Sequence, residues 1–156
     1  MQKIILAISS GLGLGYSPVA PGTAGSVLGV VIALAYSRLG GHETVSGPVY
    51  LAICVLVTVI GIWAAGRAEA IYGQKDCGKI VIDEVAGMLI TMYLLPATPL
   101  FFLAGFLVFR FFDIVKPFPA RRIDRNVKGG LGVMLDDVVA GVYSCISLHA
   151  IRAVAS

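Results

Sequence analysis

The chain has 156 residues, 58% of them hydrophobic and 13% charged, with a formal net charge of +3 and a mean hydropathy of +0.91. An average soluble domain is about 45–50% apolar and about 25% charged, so these figures argue against a water-soluble globule and exclude a disordered chain or a nucleic-acid binder. The length suits a single domain, 1–156, inserted in a membrane.

The start, MQKIILAISSGLG, looks like a signal peptide, but its apolar run ends after Ile4–Ile8. That is too short for the hydrophobic region of such a leader, so the segment reads as part of the mature protein. Residues 9–26 hold five Gly, two Pro and four Ser and predict a structured loop. A helix is expected from near Thr23 to about Leu39, with Gly25 and Gly29 at the spacing that lets membrane helices approach closely. Residues 40–47 predict a turn. Residues 48–66 predict an apolar helix of 19 residues, close to the roughly 20 that cross a bilayer.

The 21 charges are unevenly placed, and 17 of them fall in two islands. The first holds Arg67, Glu69, Lys75, Asp76, Lys79, Asp83 and Glu84. The second runs from Arg110 to Asp137. Ten of the twelve basic residues lie in these islands or at Lys3. The positive-inside rule puts the islands and the N-terminus in the cytoplasm. The apolar stretch 85–109 must therefore leave that face and return to it. Two full crossings would need about 40 residues, and Pro96 and Pro99 break the stretch. The expectation is two short helices in a partly inserted hairpin, its turn shielded by protein. KPFP and GGLG mark breaks in the second island, and a last helix is expected from about Val133 to Ala155. No stretch alternates apolar and polar residues. The fold class expected is all-α: an integral membrane helical bundle with short inserted helices and a Gly/Pro-rich N-terminal loop.

Two segments echo each other, Ile82-Asp83-Glu84-Val85-Ala86-Gly87 and Leu135-Asp136-Asp137-Val138-Val139-Ala140-Gly141. Each puts an acid pair at the expected mouth of an apolar helix and a glycine one turn further in. Asp113 occupies a similar place. Helix capping explains either pair alone. Five carboxylates at membrane depth need neutralising, and they suit a hard cation such as Mg²⁺, Mn²⁺ or Ca²⁺. Lys116 follows Asp113 by three residues and is placed to hold a phosphate oxygen beside such an ion. Arg110, Arg122 and Arg125 would neutralise further phosphate charge, whereas a plain headgroup-binding surface also explains Arg121, Arg122 and Lys128. The loop ending at Thr23 and Ser26 offers backbone and hydroxyl donors to a phosphate, although helix packing alone accounts for Gly11, Gly15 and Gly22. Gly73–Lys79 fits GxxxxGK but is followed by Ile80 rather than Ser or Thr, so a P-loop is rejected. His42 and His149 belong to no catalytic arrangement. Cys54, Cys77 and Cys145 form no CxxC pair, which argues against a disulfide framework or zinc site.

The segments SPVAPGTAGS (17–26), IVIDEVAGMLIT (80–91), FRFFDIVKPFPARRIDRNVKGG (109–130) and GVMLDDVVAGVYS (132–144) resemble the phosphatidylglycerophosphatase A family, in the family's order and over nearly the whole chain. The resemblance implies a Mg²⁺-dependent lipid phosphatase in the bacterial inner membrane. It would convert phosphatidylglycerophosphate to phosphatidylglycerol and inorganic phosphate at the cytoplasmic face. Carried over, the acidic positions are Asp83, Glu84, Asp113, Asp136 and Asp137 as metal ligands, with Asp124 among the substrate-binding residues. Both direct attack by water and an aspartyl-phosphate route fit these groups. Two rivals are a CDP-alcohol phosphatidyltransferase, whose acid spacing is not found in this sequence, and a non-enzymatic ion carrier, which would put its acids near mid-helix.

Overall fold

The computed structural model describes residues 1–75 and 77–155; Asp76, part of the first island and of the GxxxxGK match, lies outside them. Among the described residues there are seven α-helices and no strand: α1 Gln2–Ser9, α2 Pro21–Gly40, α3 Pro48–Tyr72, α4 Ile82–Thr91, α5 Pro99–Val115, α6 Ala120–Asn126 and α7 Gly129–Ala155. The all-α membrane bundle expected from the sequence is what forms. Three helices are long and apolar enough to cross a membrane, namely α2, α3 and residues 129–154 of α7.

Local chemistry explains most of the boundaries. Proline stands in the first turn of α2, α3 and α5, where its missing N–H costs nothing and its fixed φ suits the helix. At the other ends, Gly41 and Gly73 close α2 and α3 in the left-handed conformation, at φ +64° and +66°, which glycine adopts without strain.

The stretch 85–109 resolves into the expected hairpin. α4 has 10 residues and α5 has 17, about 15 and 26 Å long. The turn between them is bonded to the α2–α3 loop. Val45 N–H donates to the Leu95 carbonyl at 2.9 Å, Leu94 N–H to the Val45 carbonyl at 2.8 Å, and Ala97 N–H to the Glu43 carbonyl at 2.8 Å. Nearby, the buried Tyr50 hydroxyl donates to the Leu89 carbonyl at 2.8 Å. These bonds satisfy backbone groups that hydrocarbon would leave unpaired.

Three boundaries differ from expectation. α3 runs six residues past Gly66 to Tyr72, because the residues that open the first island, Arg67 to Glu69, are good helix formers. α5 continues through Arg110 to Val115, so the start of the second island is helical. α7 begins at Gly129 rather than Val133. Glycines 129, 130 and 132 read as a break, yet Gly130 lies so close to the Ile62 carbonyl and Gly66 of α3 that a side chain there has no room. Close packing outweighs poor propensity.

α4 occupies the centre. Gly25 and Gly29 of α2 admit it closely: a Cβ on either would sit 2.7 Å from an α4-side atom, the Val81 carbonyl oxygen or the Met88 Cβ. Val85, Ala86, Met88 and Leu89 of α4 are all at most 1% exposed. The helix that carries Asp83 and Glu84 is thus the most enclosed element.

Candidate active site

Asp83 and Glu84 lie in the first turn of α4. Asp136 and Asp137 lie seven and eight residues into α7, in its third turn, which corrects the expected position at a helix mouth. Asp113 sits in the last turn of α5, where the helix dipole disfavours an anion. Capping therefore explains none of these last three. Glycines bring the two echoing segments together: a Cβ on Gly87 would meet the Asp137 carbonyl oxygen at 2.7 Å.

The five acids line one cavity of about 330 Å³, with Thr23, Arg110, Lys116 and the backbone around Ala20–Gly22, Gly78 and Ile80. They divide into two groups. Asp113 accepts a hydrogen bond from Arg110 Nη1 at 2.6 Å. Asp136 accepts one from Lys116 Nζ, which also reaches Asp124 Oδ1 at 3.4 Å. Among the described residues, Asp83, Glu84 and Asp137 accept no hydrogen bond from a cation. Each offers a carboxylate oxygen, and the three oxygens lie within 4.8 Å of one another. Asp83 Oδ1, Glu84 Oε2 and Asp137 Oδ2 are buried and have no hydrogen-bond partner among the described residues.

Such an arrangement is costly without a ligand. Burial first, then the charges of Glu84 and Asp137, push the Asp83 carboxyl well above the usual carboxylate range. Burial likewise raises Glu84. For Lys116, burial pulls downward, but the Asp136 hydrogen bond and the charges of Asp136, Asp124 and Asp137 outweigh it and raise its pKa. Lys116 thus stays charged beside the acids. Its backbone takes φ +47° at the end of α5, a conformation that costs a non-glycine residue about 1 kcal/mol or more.

The other sequence candidates fall in different places. Thr23 lines the cavity. Ser26 does not act as an outward donor: it is fully buried and its hydroxyl donates to the Gly22 carbonyl at 3.0 Å. Arg122 and Arg125 lie outside the acid cavity, in a second cleft of about 440 Å³ that shares Lys116 with it. Asp124 orients Lys116 from α6 and does not line the acid cavity. Gly22 combines the two roles considered for its loop. It lines the cavity, and it also packs so tightly on Glu84 that a side chain would strike the carboxylate. The cavity wall at Ala20 and Pro21 falls in the loop expected to offer backbone donors, whereas nothing in the chemistry of Gly78 and Ile80 pointed to the cavity.

A family model described as Phosphatidylglycerophosphatase A matches residues 7–152. A Bacteroides thetaiotaomicron protein provisionally named a phosphatidylinositol-3-phosphatase is 42% identical over 148 residues, covering 93% of this chain and 91% of that one. Two proteins named Phosphatidylglycerophosphatase A are also similar. That of Haemophilus influenzae is 36% identical, with 93% of this chain and 86% of that one covered. That of Escherichia coli is 40% identical, with 91% and 80% covered. No solved structure matches the chain.

Proposed function

The chain belongs to the phosphatidylglycerophosphatase A family and is a phosphatase, and from that premise we propose that it removes the terminal phosphate of phosphatidylglycerophosphate with Mg²⁺ at the cytoplasmic membrane face. The observation that carries the site assignment is the trio of buried, unpartnered carboxylate oxygens of Asp83, Glu84 and Asp137. An all-oxygen, anionic donor set fits a hard divalent cation. When bound, Mg²⁺ would draw charge from a phosphate oxygen and acidify water at the site.

The chain's own groups do the rest. Arg110 and Lys116 offer N–H donors to the phosphate oxygens, and their pairing with Asp113 and Asp136 fixes where those donors point. Thr23 adds a hydroxyl. A carboxylate of the cluster takes the proton of the attacking water as its oxygen bonds to phosphorus. The bond from phosphorus to the ester oxygen breaks, and the departing alkoxide takes up the proton that the carboxylate gained, which frees the alcohol and regenerates the carboxylate. Basic residues concentrated at this end of the bundle support the cytoplasmic orientation. Membership of a phosphatase family sets aside the transferase and carrier readings.

The two names borne by relatives share a chemical theme. Each substrate is a lipid whose polyol carries a phosphomonoester and is itself joined to diacylglycerol through a phosphodiester. The test is phosphate release from phosphatidylglycerophosphate and from phosphatidylinositol 3-phosphate by the purified protein in nonionic detergent. Faster release from the glycerol lipid with Mg²⁺ present is expected. No release from either lipid would overturn the phosphatase assignment, and a preference for the inositol lipid would reassign the substrate.

A further inference from the structure

The second cleft lies immediately beside the acid cavity. It is lined by Lys116, Pro117, Phe118, Arg121, Arg122 and Arg125 among others. Among the described residues, none of these three arginines has a carboxylate within ion-pair distance. Asp124, the acid nearest to them in sequence, is turned to Lys116. Arg122 instead lies over the Phe118 ring, 5.3 Å from its centroid. Three adjacent uncompensated guanidinium groups repel one another and create a field that attracts an anion. The apolar part of the cleft is exposed: Val115 is 52% and Phe118 67% exposed. An anion held there would therefore sit at a boundary between water and apolar surface.

We propose that this arginine cleft is a second phosphate subsite, which receives the phosphodiester of the same lipid whose terminal phosphate enters the acid cavity. The inference rests on the phosphatase reading above. Lys116 lines both spaces, so one lysine stands between two anion positions. A single glycerol unit separates the two phosphates of the proposed substrate. The acids would select a phosphate that needs a cation for company, and the arginines one that does not. Selectivity follows. Phosphatidate presents a monoester on the same diacylglycerol but no diester, and it leaves the arginines empty.

The experiment compares kcat/KM for phosphatidylglycerophosphate and for phosphatidate in nonionic mixed micelles, with phosphatidate used as a competing ligand if its turnover is too slow to follow. In R122Q/R125Q the preference for the two-phosphate lipid should fall about tenfold, the scale of one lost charged hydrogen bond. These side chains are exposed, so the fold should tolerate the change. Lys128→Gln removes a charge outside both spaces and should leave the ratio at its wild-type value. A plain membrane-recruiting patch gives another pattern: both lipids lose turnover together, only on anionic vesicles, and the ratio holds. That result, or an unchanged ratio in every condition, overturns the subsite. A wild-type protein inactive on both lipids overturns the phosphatase reading and this inference with it.

Discussion

Gly87 and Gly141 face each other across α4 and α7, and a Cβ on Gly141 would lie 2.5 Å from the Gly87 carbonyl oxygen. This backbone-to-backbone approach, one turn beyond each acid pair, holds Asp83 and Glu84 against Asp137. Replacing Gly141 by Ala must push the helices apart, because the obstacle is backbone rather than a movable side chain. The expected cost is about 1–3 kcal/mol, read as a lower unfolding temperature in detergent. Activity should fall more than tenfold, beyond what the unfolded fraction explains. Full activity in a folded G141A protein would disconnect the contact from the site.

Chelation should abolish phosphate release, and added Mg²⁺ should restore it. Binding should also raise the unfolding temperature of the wild type, since a ligand at 100 times its Kd stabilises by about 2.7 kcal/mol. Asp137→Asn should be inactive and gain no thermal stability from Mg²⁺. In chelator the same variant should melt above the wild type, because it removes one of three crowded buried carboxylates. Equal melting in chelator would show that the trio is not under electrostatic strain.

Lys116→Met should destabilise the protein by about 3 kcal/mol, the scale for breaking a largely buried ion pair, and should lower activity at least a hundredfold. The double variant K116M/D136N should recover most of the stability and none of the activity. Recovery of activity would assign Lys116 a purely structural role.

Gly22→Ala tests the loop at the cavity mouth. The added methyl strikes the Glu84 carboxylate and would lie 3.3 Å from Arg110 Nη1. Glu84 has room to give only by leaving its place near Asp83 and Asp137. Activity should drop about tenfold or more with little change in unfolding temperature, since a flexible side chain rather than backbone must move. A large stability loss with proportionate activity would mark the glycine as packing alone.

The sequence was most readable where geometry is local or topology forces a choice. The α4–α5 hairpin followed from two prolines and the need to return to one face. The all-α class followed from charge-free runs without alternation. It was least readable where distant segments decide the outcome. Gly129, Gly130 and Gly132 resemble a loop until α3 is beside them. Five acids looked equivalent, and only the fold assigns Arg110 to Asp113 and Lys116 to Asp136, the latter pair 20 residues apart. Ser26 looked like a donor, yet its place one turn inside α2 turns its hydroxyl to the Gly22 carbonyl.

The hydrogen bonds between the α2–α3 loop and the α4–α5 turn have an effect at a distance. They anchor the far end of α4, a rigid rod of about 15 Å, and the acids stand at its other end. The level at which Asp83 and Glu84 stand in the cavity is therefore set from the opposite side of the bundle, much as a plumb line's reach is fixed by its point of suspension. Lengthening or loosening the loop at Thr44–Ser46 would shift Asp83 and Glu84 along the axis of α4 without touching either of them.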